Sequence, residues 1–142
     1  MNSSRTKKAI VFSDGGARGN PGPAAVGVLI CNEAGEFLFE HNETIGEATN
    51  NIAEYRAVLK GLELAHQLGI EEVEYYVDSE LVARQLSGQY RLKSPHLKEL
   101  FLQVKEREKN FKKVIFHQVP RTHEKIKWVD KLVNQALNLA GS

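Results

Sequence analysis

The stretch KAIVFSDGGARGNPGPAAVGVLIC, residues 8–31, holds two runs of β-forming side chains separated by a segment rich in glycine and proline. The runs Lys8–Ser13 and Val26–Cys31 are predicted strands, and the segment between them is a predicted loop. A third run, Glu36–Asn42, follows the turn Asn32–Gly35, which is typical of a hairpin. The chain is therefore expected to open with three antiparallel strands.

Beyond the third strand the sequence alternates between helix and strand patterns. Apolar residues recur at helical spacing from Asn51 to Leu68, and Gly69 is suited to end that helix. The later predicted elements are, in chain order, the strand Val73–Val77, the helices Ser79–Leu86 and Pro95–Lys109, the strand Val114–Val119 and a helix with an apolar stripe from Val129 to Ala140. Strands joined through helices add in parallel. The predicted fold class is α/β, with a mixed five-stranded sheet, three antiparallel strands followed by parallel additions, flanked by helices.

Length and composition bound the kind of protein. The chain has 142 residues, of which 42% are hydrophobic and 26% charged, which predicts a single domain over residues 1–142 with a flexible start at residues 1–7. The net charge of +1 neither demands nor excludes a polyanionic partner. A lone cysteine, Cys31, excludes an internal disulfide and fits a reducing compartment. The apolar stretches are too short for a signal peptide or a membrane span, so we expect a cytoplasmic protein with no membrane partner.

Four carboxylates stand where predicted strands end or helices begin. Asp14 ends the first strand, Glu54 lies in the opening turn of the long helix, Asp78 ends the fourth strand and Asp130 opens the last helix. Glu54 could complete a capping box with Asn51, and Asp78 could cap the next helix. Asp130 would favour the positive end of a helix dipole. Asp14 is different, because an acid on an apolar strand face needs a partner or a metal.

Two extended stretches carry a family resemblance. The segments Ser13–Gly22 and Thr49–Ala57, followed by Asp78-Ser79 and by Trp128–Ala136, strongly resemble the signatures of type 1 ribonuclease H, in that family's order. The resemblance runs from Lys8 to Ala140. It implies a ribonuclease H-like fold and an endoribonuclease that hydrolyses the RNA strand of RNA–DNA hybrids, leaving 5′-phosphate and 3′-hydroxyl ends.

The resemblance also implies a metal site. Asp14, Glu54, Asp78 and Asp130 would be catalytic and would ligate two magnesium ions, with Mn²⁺ as an alternative. Asp14 would bridge both ions, Asp130 would help the ion on the nucleophile side, and the other two acids would hold the second ion. Hard divalent ions prefer oxygen ligands, and a pair of them suits in-line displacement at phosphorus.

Contacts to the hybrid are implied for six residues that match the family's substrate-binding positions. They are Gly15, Gly16, Asn20, Thr49, Asn50 and Asn51. The asparagine amides can answer a ribose 2′-hydroxyl, which both donates and accepts a hydrogen bond. The glycine backbone would approach the RNA strand, and Thr49 would contact a phosphate of the DNA strand. The structural alternatives are a turn residue for Asn20 and a helix cap for Asn51.

The sequence departs from the family pattern in two places. Many members carry a loop histidine before the last catalytic acid, and His123 lies in that segment, but its spacing and Ile126 do not fit the pattern. We therefore expect a solvated loop histidine there. No basic, tryptophan-rich protrusion is evident. Arg91, Lys93 and Lys98 would instead carry salt-dependent hybrid binding, the alternative being a solvated charged helix face. Trp128 is expected to pack against the protein rather than against bases.

Two other interpretations stay open. The first is a non-catalytic hybrid-binding module, although repelling carboxylates where a polyanion docks argue against a pure binder. The second is a fragment of a reverse transcriptase or transposase with the same fold. The apparently self-contained ends and the capped final helix favour a separate domain, expected to act as a monomer with no obligate protein partner.

Overall fold

The computed structural model describes residues 7–141, so the expected flexibility of residues 1–7 lies, apart from Lys7, outside the described residues. Its elements are, in chain order, β1 (Lys8–Ala17), β2 (Gly22–Asn32), β3 (Phe37–Ala48), α1 (Asn50–Gln67), β4 (Glu72–Val77), α2 (Glu80–Leu86), α3 (Pro95–Glu108), β5 (Lys113–Gln118) and α4 (Glu124–Leu139). The strands form one sheet in the order β3-β2-β1-β4-β5. The first three strands pair antiparallel, and β4 and β5 add in parallel. The predicted mixed five-stranded sheet is confirmed.

Helices cover both faces of this sheet. Successive side chains of β1 point to opposite faces of the sheet. Val11 packs with Tyr55 and Val58 of α1, whereas Phe12 packs with Val129 of α4. The larger core, on the α1 side, also takes in residues of α2 and α3. Asp14 follows Phe12 by two residues and therefore faces α4. None of the helices within residues 7–141 is long and apolar enough to cross a membrane.

The first strand runs further than the sequence predicts. Asp14 does not end β1, because Gly15 and Gly16 continue the antiparallel pairing with Val26 and Ala25 of β2. Glycine at position 15 has a steric reason. A Cβ there would overlap the backbone of Ala53, so its absence lets α1 cross close to β1.

The helix starts also differ from three of the sequence-based interpretations. Thr49 caps α1, where its hydroxyl accepts a hydrogen bond from Ile52 N at 3.2 Å, so capping by Asn51 is wrong. Ser79, not Asp78, caps α2 through a 3.2 Å bond from Val82 N. These two hydroxyls stand where the backbone is still extended, which is the conformation a cap needs.

The last helix begins earlier than the sequence predicts. Asp130 lies within α4 rather than at its start, because His123 already caps the helix at the end of a short connection from β5. The Nδ1 atom of His123 accepts a hydrogen bond from Lys125 N at 3.1 Å, and the ring lies 5.3 Å from that of Phe12. The expectation of a solvated loop histidine is therefore wrong. Trp128 packs at the protein surface as expected: its indole N–H donates to Glu40 at 2.9 Å.

Candidate active site

The topology brings the four predicted carboxylates to one end of the sheet. Because β1 and β4 are parallel neighbours, Asp14 and Asp78 lie side by side just beyond the paired residues Phe12 and Tyr76. Glu54 reaches them from α1, just after its first turn. Carboxylate oxygens of these three acids all lie within 4.8 Å of one another. The Asp130 carboxyl comes from α4 on the other face and lies close enough to Asp14 to raise the pKa of that residue.

The cluster is electrostatically unfavourable without a counter-ion. Burial, followed by the negative charges of Asp78, Glu54 and Asp130, raises the pKa of Asp14 to about 8. Burial and the charge of Asp78 raise the pKa of Glu54 to about 7, although the Ser79 hydroxyl and the Arg121 guanidinium act in the opposite direction. Asp14 and Glu54 therefore hold protons near neutral pH unless positive charge is supplied.

The donor set suits a hard divalent cation. All the clustered ligand atoms are carboxylate oxygens, half-buried and gathered from separate elements, which is what Mg²⁺ and Mn²⁺ prefer. Soft donors such as a thiolate are remote, since Cys31 is buried elsewhere, in the α4-side core. Asp14, Glu54 and Asp78 could hold one ion between them, and Asp130 could add a fourth carboxylate beside Asp14.

A cleft of about 630 Å³ opens over the cluster. Besides the four acids it is lined by two arginines, Arg18 and Arg121, that sequence reasoning did not assign to the site. The Nε atom of Arg121 lies 3.6 Å from Oδ2 of Asp78, although the side chain is 84% exposed. Nη2 of Arg18 donates to Oδ1 of Asn134 on α4 at 3.1 Å. The sequence signal for Arg121 was its place directly after Val119-Pro120, within the stretch that leads into the last signature.

Comparison with known proteins agrees with this geometry. A family profile described as reverse transcriptase-like matches residues 12–136. The solved structure of LC11 ribonuclease H1 in complex with an RNA/DNA hybrid superposes with a TM-score of 0.88 at 42% identity, covering 94% of this chain and 99% of that one. The chain belongs to the type 1 ribonuclease H family. Ribonuclease HI of Halobacterium salinarum is 40% identical over 128 residues, which are 89% of this chain.

Some curated relatives are much longer than this ribonuclease H-like chain. A bifunctional protein of Mycobacterium tuberculosis is 38% identical over 134 residues, which are 94% of this chain and 36% of that protein. The match to the Halobacterium protein spans 63% of its length. The chain thus spans about a third of the mycobacterial relative and less than two thirds of the haloarchaeal one.

The positions that match the hybrid contacts of the ribonuclease H family fall into two neighbouring depressions. Gly15, Gly16 and Asn50 line the carboxylate cleft. Asn20, Thr49, Asn50 and Asn51 line a groove of about 510 Å³ beside it, together with Ser94 and His96, which sequence reasoning missed. Asn50 belongs to both and joins them.

The asparagines have structural partners as well. The Oδ1 atom of Asn20 accepts a hydrogen bond from Asn50 N at 3.0 Å, and Oδ1 of Asn50 accepts one from Ala17 N at 2.9 Å. These bonds tie the β1–β2 turn to the start of α1. Arg91, Lys93 and Lys98 are exposed on the α2–α3 connection and the first turns of α3, outside the residues that line the two depressions.

Proposed function

We propose that this chain is a metal-dependent endoribonuclease that hydrolyses the RNA strand of RNA–DNA hybrids and leaves 5′-phosphate and 3′-hydroxyl ends. The observation that carries the proposal is the convergence of carboxylate oxygens of Asp14, Glu54 and Asp78 within 4.8 Å, with Asp130 lining the same cleft. The 42% identity to LC11 ribonuclease H1, whose solved structure contains such a hybrid, supports the substrate class.

The four carboxylates are proposed to hold two Mg²⁺ ions, with Mn²⁺ as an alternative. When bound by these carboxylates, such ions would activate the attacking water and stabilise the leaving oxygen. Asp14 has the central position in this proposal, since the other three acids all act on its pKa. The Ser79 hydroxyl and the Arg121 guanidinium favour the charged form of Glu54, and Arg121 also lies 3.6 Å from Asp78.

Recognition of the hybrid is proposed to divide between the two depressions. Asn20, Asn50 and Asn51 would read the 2′-hydroxyls of the RNA strand, and the backbone of Gly15 and Gly16 would lie against that strand. Thr49 would bind a phosphate of the DNA strand at the positive end of α1, because a helix N-terminus favours an anion. Arg91, Lys93 and Lys98 would add salt-dependent contacts further out.

The test uses three substrates labelled on an RNA strand, namely an RNA–DNA hybrid, duplex RNA and single-stranded RNA, together with an end-labelled all-DNA duplex of the same sequence. Cleavage of the first alone with Mg²⁺ or Mn²⁺, and its loss with EDTA, is the expected result. The variant Asp14→Asn should lose it, and Glu99→Gln, on the exposed face of α3, serves as the matched acidic control.

Hybrid binding without cleavage in any metal would contradict the nuclease and favour the hybrid-binding module instead. Cleavage retained by Asp14→Asn would contradict the carboxylate assignment. We also propose that the chain acts as a monomer in the cytoplasm. Cys31, buried and unpaired, fits a reducing compartment.

A further inference from the structure

Arg18 and Asn134 form a bridge across one wall of the carboxylate cleft. Arg18 follows β1 in the turn to β2, whereas Asn134 lies on α4, 116 residues away in sequence. The guanidinium Nη2 donates to the amide Oδ1 at 3.1 Å, and both residues line the cleft. The bridge therefore holds the positively charged Arg18 guanidinium near the acids.

The same amide also binds Asp130. Nδ2 of Asn134 donates to the Asp130 carbonyl oxygen at 3.0 Å and approaches its carboxylate Oδ2 at 3.4 Å. Because an amide has one acceptor end and one donor end, Asn134 can hold a guanidinium and a carboxylate at once. Asn134 thereby connects Arg18 to Asp130 at the wall of the cleft.

A polyanion that approaches this cleft meets four carboxylates. A guanidinium held at the wall of the cleft reduces the electrostatic repulsion between these carboxylates and the polyanion. Its planar group of N–H donors matches two oxygens of a phosphate diester and can still bond Asn134. We propose that Arg18 binds a backbone phosphate of the RNA strand next to the one that is cut, and that Asn134 is the residue that positions its guanidinium. This inference rests on the proposed function.

The strand follows from the lining of the two depressions. Arg18 lines the cleft that holds the four acids, where the scissile phosphate must lie for hydrolysis. Thr49, the residue proposed to bind a phosphate of the DNA strand, lines the neighbouring groove and not this cleft. A phosphate within reach of Arg18 therefore belongs to the RNA strand.

A purely structural role makes a different prediction. The Arg18–Asn134 bond is exposed, and exposed polar bridges contribute about 0–1 kcal/mol to stability. If the bridge only joined the β1–β2 turn to α4, Arg18→Ala would change thermal unfolding slightly and leave the salt dependence of hybrid binding unaltered. If Arg18 binds a phosphate, affinity and salt dependence change together.

The first measurement is hybrid affinity in the Asp14→Asn background, where no strand is cut. Added Arg18→Ala should weaken binding about 10-fold or more, as expected for loss of a charge-assisted hydrogen bond. The slope of log Kobs against log salt should become shallower by about 0.9, the value of one phosphate contact. Arg18→Lys should restore the slope but only part of the affinity. Arg107→Ala, an exposed arginine near the far end of α3, should change neither quantity.

The second measurement identifies the phosphate. Single neutral methylphosphonate linkages are scanned along the RNA strand and then along the DNA strand. One RNA linkage adjacent to the cleavage position should weaken binding with arginine at position 18 and cost nothing further in Arg18→Ala. Asn134→Ala should reduce this selective penalty. Equal penalties in both proteins at every linkage, or a selective one on the DNA strand, would overturn the inference.

Cleavage by the unaltered chain is recorded in parallel. If it fails to cut the hybrid, the proposed nuclease function is wrong. If it cuts the hybrid while Arg18→Ala, folded by thermal melting, binds and cuts as well as the Arg107→Ala control, only the assignment of Arg18 is wrong. The two failures are thus distinguishable.

Discussion

At the scale of single residues, the clearest electrostatic effect is the raised pKa of the Asp14 carboxyl. Its pKa is about 8 and that of Glu54 about 7 in the folded protein, against ordinary values of 3.8 and 4.5. At pH values between the ordinary and the raised pKa of each residue, the folded state keeps a proton that the unfolded chain releases. The free energy of unfolding therefore falls as pH rises through this range. We expect the metal-free protein to lose at least about 1.4 kcal/mol between pH 5 and pH 8, the equivalent of one pKa unit. Urea unfolding in EDTA measures this loss of stability, and saturating Mg²⁺ should reverse it at pH 8.

The variant Asp14→Asn separates stability from activity at the same residue. An amide keeps the shape of the side chain but removes the buried charge, so the metal-free variant should be more stable than the parent at pH 8 by about 1 kcal/mol or more. The free energy of unfolding of the variant should depend less on pH and on Mg²⁺ than that of the parent, and hybrid cleavage should be lost. A variant that unfolds with the pH and Mg²⁺ dependence of the parent would contradict the shared acidic site.

At the scale of elements, the start of α1 combines two tasks in Thr49. Its hydroxyl caps the helix, and the proposal also gives it a DNA phosphate. Thr49→Ala should cost about 1 kcal/mol of stability through the lost cap. Thr49→Asp keeps a capping oxygen but adds a negative charge, so stability should hold while hybrid affinity falls. Thr49→Ser is the control that keeps both. Equal hybrid affinity of the Asp and Ser variants would show that no phosphate lies there.

The contact between β1 and α1 depends on one glycine of an adjacent pair. A Cβ at position 15 would overlap the Ala53 backbone, whereas one at position 16 would meet only Val133 Cγ1 at 3.8 Å. Gly15→Ala should therefore destabilise the fold by about 3 kcal/mol, the upper end of overpacking costs. Gly16→Ala should fold normally and lose activity if the backbone there lies against RNA. Chemical denaturation of both variants measures the difference, and equal stabilities would contradict this packing.

Local patterns determine much of this architecture, and non-local pairing determines its details. The order of the elements follows from hydrophobic spacing, and so does the face of β1 that carries Asp14. The true end of β1 depends on Gly15 and Gly16 pairing with β2, which no local pattern specifies. Likewise the start of α4 at His123 depends on the short connection from β5. The bridge from Arg18 to Asn134 joins residues 116 apart, so single-sequence reasoning had no signal for it.

At the scale of the whole molecule, a net charge of +1 conceals local differences in charge. Four acids meet in the cleft, while Arg91, Lys93 and Lys98 are exposed on the α2–α3 connection and the start of α3. A hybrid must therefore be held mainly by the periphery, and its affinity should depend on salt because bound phosphates release counter-ions. Under the proposed function, the α2–α3 connection and the start of α3 are expected to supply these contacts.

This distribution predicts which end of α3 matters for binding. Arg91, Lys93 and Lys98 are exposed near its start. Their joint replacement by alanine should make the slope of log Kobs against log salt shallower by about 2.7, if each contacts one phosphate. The matched control removes three basic side chains at or beyond its far end, Arg107, Lys109 and Lys113. Both triple variants lose the same net charge, so a general field effect would weaken hybrid binding equally in both. A change confined to the first variant would locate the hybrid on the side of the molecule where the two depressions open.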